Sequence, residues 1–98
     1  MLISMSENEI VEIFKALSVK SRILIIKLIR DKKQCVNAIT SKLDISQSAV
    51  SQHLKVLRDC NLVMSDRYGS IVHYQLNKEK MNEFKKAIYE LTGDEFSL

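Results

Sequence analysis

The chain has no proline, two glycines and two cysteines among its 98 residues. Two cysteines are too few for the disulfide framework that holds many small secreted domains together. The absence of proline and the scarcity of glycine favour long helices over extended loops. Apolar runs are also short. The longest, residues 23–26, is far too short for a membrane span or a signal peptide. The sequence therefore predicts a mainly helical, cytoplasmic protein without a membrane partner.

Hydrophobic residues make up 46% of the chain and charged residues 28%, which is typical of a folded protein. We expect residues 1–98 to form one domain. Residues 21–30 are apolar almost all the way round, which predicts a helix at the centre of that domain. A chain this short buries only about 60–65% of its unfolded surface, so a partner subunit would add to a modest core. The net charge of +3 permits nucleic-acid binding without requiring it.

The middle of the chain predicts two short helices joined by a tight turn. Val36, Ile39 and Leu43 mark the first helix by their apolar spacing, and Asp44 follows as a residue that tolerates the left-handed backbone of a turn. The second helix begins after Ser46, whose hydroxyl can accept a backbone N–H of the first helical turn. This arrangement is typical of a helix-turn-helix motif.

The second of these helices has one apolar face and one polar face. Val50, Leu54 and Leu57 recur at the spacing of a buried stripe. The other face is uncharged near its start and cationic at Lys55, which suits a helix that enters a major groove N-terminus first. A solvated amphipathic helix is the alternative interpretation. The candidate DNA-binding residues of this helix are Ser46, Gln47, Ser48, Ser51, Gln52 and Lys55.

A β-hairpin is predicted after the motif. Two strand-like runs, 63–68 and 71–76, flank Gly69, which permits the positive φ of a hairpin turn. A hairpin in this position, called a wing, can reach the minor groove or its phosphates. Arg67 and Tyr68 are therefore candidate DNA-binding residues, and an ordinary surface charge is the alternative for Arg67. The predicted fold is mainly α with a small β-hairpin: a winged helix-turn-helix with about five helices and a two-stranded wing.

The first and last helices are each marked by a cap and an apolar stripe. Residues 6–9 form a capping box, whereas Asn77 and Gly93 bound the last helix. Residues 1–5 are expected to be a frayed end and residues 94–98 a tail; packing of the apolar residues 1–5 is the alternative for the first segment. The two stripes either complete the chain's own core or contact a second subunit. The candidate dimer-interface residues are Ile10, Phe14, Leu17, Met81, Phe84, Ile88 and Leu91.

Three stretches of the chain together resemble the ArsR/SmtB family of winged-helix repressors, many of which sense metals. They read ALSVKSRILIIKLI, QCVNAITSKLDISQSAVSQHLKVLRDCNLV and YGSIVHYQL, and the resemblance extends over about residues 10–91. It implies a homodimer, built by the first and last helices, that binds an imperfect inverted repeat in a double-stranded DNA operator. It also implies release of the DNA by an inducer, and an approach of Lys20 and Arg22 to the DNA backbone, for which an ordinary solvated basic pair is the alternative.

The residues that the resembling family uses to bind metals are incomplete in this chain. One family site uses a Cys-x-Cys pair where this chain has Cys35-Val36-Asn37, and another uses histidine on the last helix, which has none after residue 77. Both departures weigh against metal sensing, so we expect no cofactor and no metal ligands. A metal ion shared across a dimer interface by Cys35 and a carboxylate or the N-terminal amine is the alternative.

The two cysteines have different predicted roles. Cys35 follows the polar connector 32–34, where the charges of Lys32 and Lys33 favour an ionised thiol, so it is a candidate thiol sensor. Cys60 is predicted to act as a small buried apolar residue.

No catalytic arrangement stands out in the sequence. His53 is predicted to pack or to contact phosphate, and His73 to face outward or to lie at the sheet edge. Neither has a partner for acid–base chemistry, so no enzyme is predicted. The predicted function is sequence-specific DNA binding by a dimeric transcriptional repressor that an inducer releases; a winged-helix module for protein interaction is the alternative.

Overall fold

The computed structural model describes residues 5–93, which form five α-helices and a three-stranded antiparallel sheet. This is the predicted winged helix-turn-helix. The expected frayed residues 1–4 and 94–98 lie outside the described part of the chain. No helix within residues 5–93 is both long enough and apolar enough to cross a membrane. In chain order the elements are α1 (Glu7–Leu17), α2 (Lys20–Ile29), β1 (Gln34–Cys35), α3 (Val36–Leu43), α4 (Gln47–Asp59), β2 (Val63–Tyr68), β3 (Ile71–Leu76) and α5 (Lys78–Thr92).

Side-chain caps place the starts of three helices where the sequence predicts them. Ser6 Oγ accepts a hydrogen bond from the Glu9 backbone N–H at 3.2 Å, and Glu9 Oε1 accepts one from the Ser6 N–H at 3.1 Å. Asn77 Oδ1 caps α5 in the same way. Gly93, with a φ of 76°, then ends that helix in the left-handed conformation that glycine adopts without strain.

The sheet has three strands where the sequence predicts a two-stranded wing. Its order is β1-β3-β2, and β1 pairs antiparallel with β3, so that Cys35 lies opposite His73. The prediction that residues 32–34 form a polar connector is therefore wrong for Gln34, which is buried in the sheet region. Its Nε2 donates to the carbonyl oxygen of Leu28 at 2.6 Å, and its Oε1 accepts from Lys42 Nζ at 2.8 Å. A two-residue strand is too short to show a strand periodicity in sequence.

The core forms where helices α1 to α4 meet the start of the wing. Its largest fully buried side chains are Ile13, Ile25, Ile29, Ile39, Val50, Leu54, Leu57 and Leu62. The sequence predicts that α2 lies at the centre of the domain, and this is only partly correct, because Ile23 on that helix is 43% exposed. The predicted frayed end is wrong at Met5, which is buried against this core.

Candidate nucleic-acid interface

Helix α4 presents its predicted polar face to solvent. Val50, Leu54 and Leu57 are each at most 1% exposed, and they fix the helix to the core. A helix anchored by three buried side chains has little freedom to rotate, so its outer side chains are held in a defined direction. The predicted DNA-binding residues on it are all exposed: Ser46, Gln47, Ser48, Ser51, Gln52 and Lys55.

The turn between α3 and α4 is fixed by short-range hydrogen bonds. Asp44 has a φ of 55°, the left-handed conformation predicted for it, and its N–H donates to the Thr40 carbonyl oxygen at 3.2 Å. Ser46 Oγ then accepts a hydrogen bond from the Ala49 N–H at 3.1 Å. Ser46 Oγ also lies 3.3 Å from Ser48 Oγ. The start of α4 is thus both ordered and exposed, and the positive end of its dipole favours a nearby phosphate.

Lys55 forms an ion pair that a phosphate can replace. Its Nζ lies 3.0 Å from Asp59 Oδ2, four residues along the same helix, and both side chains are well exposed. An exposed pair of this spacing contributes only about 0.3–0.5 kcal/mol. Lys55 therefore loses little when it exchanges Asp59 for a DNA phosphate.

His53 joins α4 to α2 on the inner side of the helix. Arg22 Nε donates to His53 Nδ1 at 3.2 Å, while Arg22 Nη1 lies 3.4 Å from the carbonyl oxygens of both Lys15 and Ala16. Burial, and then the charge of Arg22, lowers the pKa of His53, so the neutral imidazole that accepts this bond is favoured. Arg22, which the resemblance places near the DNA backbone, is instead engaged inside the chain, whereas Lys20 is exposed.

The wing carries Arg67 and Tyr68 on exposed positions of β2, next to a turn in which Gly69 has a φ of 63°. Tyr68 Oη accepts a hydrogen bond from Lys33 Nζ at 2.6 Å, and its ring meets His73 edge-on at 5.3 Å. The hydrogen bond to Tyr68 is the main cause that raises the pKa of Lys33. Lys33 therefore adds a cation beside the wing. Sequence reasoning did not connect it to the wing, because the contact joins residues 35 positions apart.

Both cysteines are free and half-buried. Cys35 occupies the N-cap position of α3 without a side-chain capping hydrogen bond, and it pairs with His73 across the sheet. His73 Nδ1 is buried without a hydrogen-bond partner among residues 5–93. Cys60 Sγ donates to the Leu57 carbonyl oxygen at 3.4 Å, and burial raises the pKa of its thiol.

The donor set does not fit the metal sites implied by the resemblance. In the described part of the chain, no group of three or more His, Cys, Asp or Glu side chains is placed to hold a metal ion. Cys35 has no second thiol beside it, because asparagine stands at the position where the family places one.

Helices α1 and α5 leave an apolar surface uncovered. Val11, Phe14 and Leu91 are 47%, 45% and 67% exposed, and the Phe14 ring packs edge-on against Phe84 at 5.2 Å. Phe84, among the candidate interface residues, is buried within its own chain. Four other candidates are partly buried against the core: Ile10, Leu17, Met81 and Ile88. Val11 was not singled out from the sequence, although it lies three residues before Phe14 on the same helix.

Comparisons with known proteins agree with this architecture. The profile described as "Bacterial regulatory protein, arsR family" matches residues 20–65. The arsenical resistance operon repressor of Bacillus subtilis is 39% identical over 70 residues, which are 70% of this chain and 67% of that protein. The HTH-type transcriptional repressor SmtB of Mycobacterium tuberculosis is 37% identical over 66% of this chain and 48% of its own length. The solved structure of an ArsR-like transcriptional regulator from Rhodococcus sp. RHA1 covers 88% of this chain and 81% of its own with a TM-score of 0.81; at 24% identity this likeness concerns the fold.

Proposed function

The chain belongs to the ArsR family of bacterial regulatory proteins, which are DNA-binding transcriptional regulators, and from this we propose that it is a homodimeric repressor. We propose that it acts as a regulator rather than an enzyme, binds an inverted repeat in its operator, and leaves the DNA when an inducer binds. One observation carries the proposal: the uncharged polar face of α4 is exposed while the opposite face is fixed in the core.

Each part of the interface has a distinct task in this proposal. Gln52 reads a base, because its amide can pair with adenine through two hydrogen bonds. Ser48 and Ser51 bind base edges or phosphates beside it. Lys55 and the wing residue Arg67 bind phosphates, which positions the protein without selecting a sequence. Ser46, Gln47 and Tyr68 complete the contact surface at its edges.

The dimer in this proposal forms through the exposed apolar surface of α1 and α5. Two copies related by a two-fold axis place two α4 helices on successive major grooves, which requires a separation of about 34 Å. Val11, Phe14 and Leu91 provide the uncovered apolar area on each subunit.

We assign the inducer response to the Cys35 thiol. Cys35 immediately precedes α3, the first helix of the helix-turn-helix, at its N-cap position, and it is the last residue of β1. A bulky or charged group on its sulfur would change both elements at once. The Cys35 thiol is free, so a thiol-reactive inducer needs no second ligand.

Gel-shift assays on the promoter of the protein's own gene test the DNA-binding part of the proposal. We expect a retarded complex that survives an excess of unrelated competitor DNA. Equal loss of the complex to matched and unrelated competitor would favour the alternative, a winged-helix module for protein interaction.

Titration of the protein–DNA complex tests the inducer assignment. Zinc, arsenite and a persulfide donor are added in turn to the wild type, to Cys35→Ser and to the control Cys60→Ser. We expect the persulfide donor to release the wild type and Cys60→Ser but not Cys35→Ser. Release of Cys35→Ser by the same reagent would refute the assignment.

A further inference from the structure

A cavity of about 230 Å³ opens between α1, α2 and the C-terminal end of α4. It is smaller than the roughly 300–1,000 Å³ typical of sites for drug-sized molecules, so its volume suits a small metabolite. The elements around it are a helix of the proposed dimer surface and the proposed DNA-reading helix. The cavity therefore lies where an occupant can influence both.

The cationic part of the lining comes from Arg22 and Lys15. Arg22 uses Nε on His53 and Nη1 on two carbonyl oxygens, but its Nη2 has no hydrogen-bond partner among residues 5–93. Lys15 is mostly exposed and forms only a loose pair with Glu12, at 3.6 Å. Both cations are thus available to a carboxylate, which a guanidinium binds particularly well.

The same cavity is lined by the carboxylates of Glu12 and Asp59, and by apolar atoms of Ala16 and Val56. Glu12 pairs with Lys15 at 3.6 Å and Asp59 pairs with Lys55 at 3.0 Å, and all four side chains are well exposed, so these pairs are weak and exchangeable. A ligand that carried one charge could replace only one partner of such a pair. A molecule with one carboxylate and one ammonium group satisfies both.

We propose that this cavity binds a small zwitterion of the α-amino acid class. Its carboxylate binds Arg22 and Lys15, its ammonium group binds Glu12 and Asp59, and its side chain packs on Val56. The ligand carboxylate binds Arg22 at the unpartnered Nη2 and draws the guanidinium toward the cavity, in competition with the bond from Nε to His53, so that occupancy loosens the connection between α2 and α4. The resulting loss of DNA affinity rests on the proposed function, whereas the binding itself does not.

Titrations of the DNA-free protein, followed by ¹H–¹⁵N NMR, test the binding. The probes are the common L-amino acids, with propionate and ethylamine as the single-charge counterparts of L-alanine. We expect saturable shifts at residues of α1, α2 and α4, with at least one amino acid. Among alanine and its two counterparts, we expect alanine to bind at least about tenfold more tightly than either. The absence of saturable shifts with every amino acid, or equal binding of the single-charge probes, would overturn the proposal.

Variants locate the site. Asp59→Asn and Glu12→Gln each remove an exposed charge, so that folding is preserved, and we expect each to weaken binding about tenfold. Lys85→Gln, an equally exposed change on α5, is the matched control and should bind as the wild type does. Unchanged affinity in both cavity variants would refute the site.

A separate measurement tests the link to DNA. If the amino acid weakens DNA binding by some factor, DNA must weaken amino-acid binding by the same factor. An amino acid that binds at the cavity without changing the affinity for DNA would refute the competition for Arg22. A protein that binds the amino acid but no DNA would refute the proposed function and leave the binding site standing.

Discussion

At the scale of single residues, neighbouring side chains of α4 have different tasks. Gln52 and Lys55 both point outward, yet only Gln52 carries a paired donor and acceptor that can distinguish bases. His53, between them in sequence, points inward and accepts a hydrogen bond from Arg22. In the proposed complex, one turn of helix therefore combines base reading, phosphate binding and attachment to the core.

Replacing these outer residues should separate specificity from affinity. Gln52→Ala is expected to cost about 1–3 kcal/mol on the operator and to relax the base preference, because a base-edge contact is lost. Lys55→Ala should weaken all sequences alike and reduce the slope of log affinity against log salt by about one. Fluorescence anisotropy on matched and scrambled duplexes measures both. Equal losses on the two duplexes from Gln52→Ala would refute its role in base reading.

The His53–Arg22 contact predicts a dependence of stability on pH. The pKa of His53 is lowered in the folded chain, so between that pKa and the ordinary value the unfolded chain binds more protons. The free energy of unfolding should therefore fall as the pH drops through and below about 6.5. Urea unfolding at several pH values measures this slope. His53→Asn, which keeps an acceptor for Arg22 but does not titrate, should flatten it, whereas the control His73→Gln should not.

At the scale of elements, hydrogen bonds close in sequence set the boundaries of the helix-turn-helix. Its turn is set at Asp44 and its second helix is capped at Ser46, and both features follow from side chains within a few residues. The wing differs, because Tyr68 is held by Lys33 from a distant segment. Hydrogen bonds between neighbouring residues therefore set where α4 begins, whereas tertiary contacts set the position of the wing.

Removing the cap of α4 should destabilise the chain measurably. Ser46→Ala deletes the acceptor for the Ala49 N–H and is expected to lower the free energy of unfolding by about 1 kcal/mol. Ser46→Asp keeps an acceptor and should restore most of it. Ser51→Ala, on the exposed face of the same helix, is the control and should change stability little. Chemical denaturation measures all three, and a wild-type value for Ser46→Ala would contradict a capping role.

The same division explains how much the sequence could predict. The helices, the hairpin and the buried stripe of α4 leave periodic or capping signals, and all are confirmed. Strand β1 leaves none, because two residues show no period and its pairing depends on the distant β3. The sequence also could not show whether Phe84 is buried in its own chain or in a dimer interface, since an apolar stripe has the same spacing in both cases.

At the scale of the whole molecule, the large exposed apolar side chains other than Ile23 of α2 lie on two groups of elements. Val11, Phe14 and Leu91 lie on α1 and α5, whereas Met64, Tyr68 and Ile71 lie on the wing. The first surface is the one we assign to the dimer. Of the interface residues predicted from the sequence, Phe14 and Leu91 are the exposed ones, so the other five contribute mainly to the core beneath.

Charge introduced into the first surface should prevent dimer formation. Val11→Glu and Leu91→Glu each place a carboxylate in the proposed apolar contact, and we expect each to weaken self-association at least about tenfold. Ile71→Glu makes the same change at the tip of the wing and should leave self-association intact. Sedimentation velocity over a range of concentrations measures the effect. A monomeric wild type, or variants that dimerise normally, would refute the assigned surface.

The two-residue strand β1 also has a kinetic consequence. So short a ladder segment can detach from β3 and close again without global unfolding, and such openings have lower free energies than opening of the core. Each detachment exposes the backbone of this segment to solvent and releases Cys35 from the sheet. Because Cys35 is half-buried, such brief openings add to the access that reagents already have to its sulfur.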